Sequence, residues 1–164
     1  QNKGIRSLII DLRDKGGGIV DEAMEIADYI LDKDTTMLIT VDKKQEEEVT
    51  KAKQEPIVKL PIVVLVNDGT ASASEMLAGA LQDTRKATIV GKTTYGKGVI
   101  QELYTLSDGS GLKITIKEYF TPNRNKINKV GIKPDYEVEY EKDKEDAQLN
   151  KAIEILRLSS QSSL

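Results

Sequence analysis

The chain has 164 residues, with 24 Lys and Arg against 27 Asp and Glu and a formal net charge of −3. That length suits one domain with a real core, and that balance offers no electrostatic case for nucleic acid or an anionic membrane as a partner. Cys and His are both absent, which excludes disulfides, thiol chemistry, the commonest zinc ligands and any Ser-His-Asp arrangement. No apolar run is long enough to span a bilayer and no signal-peptide pattern is present, so the chain itself is expected to be soluble. It opens at Gln1 without an initiator Met and reads as a piece of something longer.

In chain order, Ile5 to Leu12 (IRSLIIDL) is short, apolar and β-branched, the pattern of a buried strand. Arg13-Asp14-Lys15 and a Gly16-Gly17-Gly18 run follow. Val20, Ala23, Ala27, Ile30 and Leu31 then fall at helical spacing, with Asp21 and Glu22 in the first turn. Met37 to Val41 reads as a strand, and the charged stretch Asp42 to Glu55 as a solvated loop or hairpin. Leu60 to Val66 (LPIVVLV) is the strongest buried strand. Asn67-Asp68-Gly69 breaks it, and Thr70-Ala-Ser-Ala-Ser74 leads into an apolar-periodic helix ending near Asp83.

Ala87 to Val90 is a short strand and Gly91 to Gly98 a glycine-punctuated loop. Ile100 to Leu106 and Leu112 to Phe120 bracket Ser107-Asp-Gly-Ser-Gly111, a hairpin signal. A late strand is expected over Tyr136 to Tyr140 and a helix over Asp146 to Leu158. Residues 159–164 read as a disordered tail. Strands alternating with helices give an α/β domain over residues 1–158, and the strand-rich later half argues for a mixed sheet.

Three stretches could carry chemistry. Thr70, Ser72 and Ser74 crowd the start of one helix. A capping role needs one hydroxyl, and caps are far commoner than nucleophiles. A serine there also sits where a helix dipole and free N–H groups stabilise developing negative charge. Without His, its base would be a lysine made neutral by burial. Lys97, between Gly96 and Gly98 and leading into a strand, stands apart from the other lysines, although a loop lysine beside turn glycines is the plainer reading. Gly16-Gly17-Gly18 could present amides to an anion or serve as a flexible turn. A Walker-type phosphate loop does not fit, since no helix follows either Gly-Lys pair.

Taken together, DLRDKGGG, VNDGTASASE, TTYGKGVIQ, LSDGSGLKIT and EYFTPNRNKINKVGIKPDYEVE resemble the protease core of the carboxy-terminal processing, or tail-specific, serine peptidases. The resemblance runs from about Ile5 to Glu139. It implies a crotonase/ClpP-like α/β core of ββα units and a Ser-Lys dyad. Ser72 would be the nucleophile, Lys97 the general base and Gln101 the residue that orients the lysine. Ala73 N–H, with Gly17 or Gly18, would form the oxyanion hole, and Asp83 would be a supporting residue. No cofactor or metal is implied. The partner would be a protein or peptide substrate presented by its C-terminus, and a homo-oligomer is compatible.

Family members carry Pro where this chain has Gly16, which should loosen the glycine loop. They also carry a PDZ domain that has no counterpart here. The resemblance places the parent protein outside the cytoplasm or at the membrane of a bacterium. Two rival readings are a catalytically silent scaffold or binding module of the same fold, and a crotonase-like acyl-CoA enzyme. The latter needs an ADP-binding surface and acidic catalytic residues, for which the sequence gives no support.

Overall fold

A computed structural model describes residues 4–141 and 144–161. In chain order its elements are β1 (Leu8–Asp11), α1 (Val20–Asp28), β2 (Thr36–Asp42), β3 (Glu47–Lys51), β4 (Ile62–Val66), α2 (Ala73–Asp83), β5 (Ala87–Gly91), β6 (Val99–Thr105), β7 (Gly111–Phe120), β8 (Tyr136–Glu137) and α3 (Ala147–Gln161). The parallel and antiparallel pairings segregate. One sheet, ordered β1-β4-β5-β8, is parallel throughout; the other, β3-β2-β7-β6, is antiparallel throughout.

The parallel sheet explains the apolar run of β4, which is buried along its whole length. Ile62, Val64 and Val66 face a core built with α1, α2 and β2, while Val63 and Leu65 face Ala152 and Leu156 of α3. A strand covered on both faces has no side to give to polar residues. Each of its fully buried side chains contributes roughly 1.5–3 kcal/mol of transfer free energy. The charged stretch after β2 forms an antiparallel hairpin, with Ile39 opposite Val49 and Val41 opposite Glu47.

Helix α1 starts without a side-chain cap, but Asp21 and Glu22 complement its dipole. It ends sooner than its periodicity predicts: Ile30 and Leu31 both donate their N–H to Ala27 O, in a turn past the helix. Both stay buried, because the apolar face continues across the turn. Helix α3 runs through the first part of the expected tail to Gln161, and residues 162–164 lie outside the described residues. Among the described residues no helix is long and apolar enough to cross a membrane.

Candidate active site

Strand β4 delivers the chain to the serine turn. Thr70 does not cap the helix that follows. Its hydroxyl donates to Leu12 O at 2.8 Å and accepts from Asn67 N–H at 3.0 Å, which fastens the turn to the end of β1. Ser72 occupies the N-cap of α2, but with φ 57° and ψ −124°. Ordinary N-cap residues lie in the β region, and a non-glycine residue held at positive φ costs of order 1–3 kcal/mol. The turn therefore aims Ser72 in a way that capping alone does not require. Its side chain is half-buried, at the positive end of an 11-residue helix.

The glycine loop lies directly against it. Ala71 N–H donates to Lys15 O at 3.1 Å, tying the two loops together. Gly17 has φ 114°, and a Cβ there would stand 2.9 Å from Ser72 Cβ and 3.4 Å from Ser72 Oγ. No other residue type fits this approach. Among the described residues, the N–H groups of Ala73, Gly17 and Gly18 donate to no protein acceptor. Gly17 packs on Ser72 and Ala73 follows it in the chain, and free amides so placed suit an anion.

Lys97 reaches the same region on the 92–98 loop. Tyr95 N–H donates to Thr70 O at 3.0 Å, and Lys129 N–H donates to Gly96 O at 2.8 Å. The flanking glycines are sterically required: a Cβ on Gly98 would stand 2.2 Å from Asn128 N, and one on Gly96 3.0 Å from Gly131 N. Lys97 is half-buried. Among the described residues its Nζ makes no ion pair, unlike Lys86, Lys92 and Lys117, and no hydrogen bond joins it to Ser72 Oγ.

Gln101 lies on β6, exposed, and its amide donates to Thr115 Oγ1 at 3.4 Å. Asp83 stands at the far end of α2, about 16 Å along the helix from Ser72. Its carboxylate accepts from Asn123 N–H at 2.8 Å and Asn125 Nδ2 at 3.1 Å, which secures the turn after β7.

A cavity of about 140 Å³ lies between the glycine loop, α1 and the start of α2, lined by Gly17, Gly18, Ala23, Ile26, Ala73 and Leu77 among others but not by Ser72 itself. Ser74 also lines it. A larger concavity of about 470 Å³ lies between the β2–β3 hairpin and β7 and includes none of these groups; there Arg124 pairs with Glu47 and Lys117 with Glu48. Among the described residues no group of three or more His, Cys, Asp or Glu could hold a metal ion.

Sequence reasoning missed Glu75 and Tyr119, both fully buried and both bonded to the Ser72 and Lys97 segments. The Ser72-x-x-Glu75 spacing was a visible signal for the first. Nothing in a β-strand tyrosine announces the second.

An α/β core that sets a strained serine at a helix N-terminus, between a glycine loop and a lysine loop, has the architecture of a serine hydrolase. The model of Peptidase family S41 matches residues 1–138, and the chain belongs to that family of serine peptidases. It is 46% identical over 139 residues to the carboxyl-terminal-processing protease of Synechocystis sp., covering 85% of this chain and 32% of that protein. It is 45% identical over 136 residues to the chloroplastic carboxyl-terminal-processing peptidase 1 of Arabidopsis thaliana, covering 82% of this chain and 28% of that protein. Among solved structures it resembles a photosystem II D1 C-terminal processing protease, with TM-score 0.78 and 40% identity over 84% of this chain and 36% of that one. The chain thus spans about a third of the length of the relatives it matches.

Proposed function

We propose that the chain carries the catalytic core of a serine endopeptidase that cleaves proteins near their C-termini through an acyl-enzyme. Ser72 Oγ attacks the scissile carbonyl carbon while Lys97 Nζ takes the hydroxyl proton. The carbonyl oxygen becomes an oxyanion held by the N–H groups of Ala73 and of Gly17 or Gly18. On collapse, the peptide C–N bond breaks and Lys97 returns the proton to the leaving amine. Water, deprotonated in turn by Lys97, hydrolyses the ester and frees Ser72. Gln101 orients Lys97 once its amide leaves Thr115, a contact at the outer limit of hydrogen bonding. The cavity of about 140 Å³ that Gly17, Gly18 and Ala73 line takes the apolar side chain preceding the scissile bond. Asp83 supports the fold.

The observation that carries this reading is the positive-φ backbone of Ser72, packed against Gly17 with free amides on both sides. A helix cap, which the Ser72–Glu75 capping box also forms here, needs neither the positive φ nor the close approach of Gly17. For the whole protein we infer a location outside the cytoplasm or at a membrane, a substrate presented by its C-terminus, and an assembly that can be homo-oligomeric.

One observation favours a second reading, a catalytically silent core: Ser72 Oγ is not hydrogen-bonded to Lys97 Nζ. Such bonds are often long in unliganded enzymes and tighten on binding. The test is cleavage of an unstructured protein with an apolar C-terminus by the chain and by its Ser72→Ala and Lys97→Ala variants. Labelling with a fluorophosphonate runs alongside. Cleavage and labelling lost in both variants support the dyad. Cleavage that persists in Ser72→Ala removes it, and a parent chain neither cleaving nor labelled supports the silent core.

A further inference from the structure

The backbones of Ser72 and Lys97 are 25 residues apart in sequence, yet the same two buried side chains hold both. Glu75 is fully buried. Its Oε2 accepts the Ser72 N–H at 2.9 Å and the Lys97 N–H at 2.9 Å. Its Oε1 accepts the Gly96 N–H at 2.7 Å and the Thr94 hydroxyl at 2.5 Å. Thr94 Oγ1 in turn accepts the Ile132 N–H at 2.7 Å, so the lysine loop is anchored on both sides.

Tyr119, also fully buried on β7, holds the opposite poles of the same two residues. Its hydroxyl donates to Lys97 O and lies 3.2 Å from Ser72 O. Burial, and then the charge of Glu75, push the Tyr119 hydroxyl well above its ordinary value of 10.0. It is therefore a donor at neutral pH. A carboxylate takes both N–H groups and a phenol meets both carbonyls.

We propose that Glu75 and Tyr119 are positioning residues that fix the separation of the nucleophile and the base. This rests on the reading of Ser72 and Lys97 given above. A plain helix cap satisfies its own helix's amides; Glu75 also takes two amides and a hydroxyl from a distant loop. A plain core tyrosine needs one acceptor for its hydroxyl; Tyr119 is shared between the two residues that must react with a common substrate. The peptide groups of Ser72 and Lys97 cannot separate without breaking the charge-assisted bonds to Glu75 or the bonds to the Tyr119 hydroxyl, and each broken bond leaves a group of a fully buried side chain unpaired.

Tyr119→Phe removes only the hydroxyl, and Glu75→Gln keeps the shape but turns one acceptor into a donor facing N–H groups. In both, kcat on the unstructured substrate is expected to fall by about tenfold or more, with KM changed by less than about twofold. The double variant should fall little below the worse single variant, because both act on one separation. Thermal melts establish that each variant is folded at the assay temperature. Should Glu75→Gln fail to fold, Tyr119→Phe decides alone.

If folded Tyr119→Phe keeps kcat within about threefold of the parent, or changes only KM, the positioning role is overturned and the dyad stands. A parent chain that neither cleaves nor labels at Ser72 overturns the peptidase reading and the positioning role with it.

Discussion

Gly17→Ala is the sharpest probe of the serine cradle. The new Cβ would lie 2.9 Å from Ser72 Cβ and 3.1 Å from Ala71 O, at a residue with φ 114°. Neither neighbour is the free end of a flexible side chain, so the backbone of one loop must give way by about half an ångström. A displacement of 1 Å can cost about a hundredfold in rate, and half that distance corresponds to about tenfold, or about 1.4 kcal/mol of barrier. The strained φ adds about 1–3 kcal/mol against the folded state, a fall in Tm of roughly 3–10 °C for a domain of this size. The assay is kcat and KM on the unstructured substrate well below the melt, with a parallel thermal melt. Gly16→Ala is the control, since nothing stands within 4 Å of its Cβ position; it should keep its kcat and its Tm. Undiminished kcat in folded Gly17→Ala would refute the placement of the oxyanion at this loop. Equal losses in Gly16→Ala and Gly17→Ala would show that loop stiffness matters and the contact with Ser72 does not.

Three further outcomes are expected. Ala23→Leu should partly fill the cavity lined by Gly17, Gly18 and Ala73 and lower kcat/KM for substrates with Leu before the scissile bond by roughly tenfold relative to those with Ala; equal effects on both would move the side-chain pocket elsewhere. Asp83→Ala leaves Asn123 N–H and Asn125 Nδ2 without their acceptor and should cost about 1 kcal/mol of stability with kcat unchanged, so a fall in kcat at constant Tm would make Asp83 part of the chemistry.

The third concerns acid. The Arg13 side chain, by hydrogen bonding, holds Asp11 below its ordinary 3.8. Burial works to raise Asp146, but the Leu149 amide and Arg13 outweigh it and hold that carboxyl low as well. Both groups bind protons less readily folded than unfolded. Their contribution is therefore fully present above the ordinary aspartate range and is lost as pH falls through the depressed folded values. Arg13 joins the end of β1 to the start of α3, so Arg13→Met should flatten the loss of Tm at acid pH. An unchanged acid limb would remove this network from the pH dependence.

Much of this molecule is written in local pattern. The continuous apolar run of β4, the helical spacing from Val20 and the hairpin signal at Ser107 to Gly111 each specify an element through short-range periodicity or turn chemistry. The three segments of the candidate site were legible for the same reason: each is a short run of unusual residues, glycines beside Lys97, serines at a helix start, glycines after a strand. Their kinship to Peptidase family S41 lies in the order of those runs. Segregation of the strands into one parallel and one antiparallel sheet was not legible, since pairing partners such as β1 with β4 are far apart in sequence and any apolar strand can pair either way. Nor could sequence say whether Ser72 caps or is aimed, because that depends on φ, which the packing of Gly17 and the Lys15–Ala71 bond impose from another loop. The same limit hid Glu75 and Tyr119. A glutamate at the third position of a helix and a tyrosine on a strand are ordinary residues locally. What distinguishes them is the set of distant backbone groups they meet, and only the close packing of a folded core brings those groups within hydrogen-bonding reach.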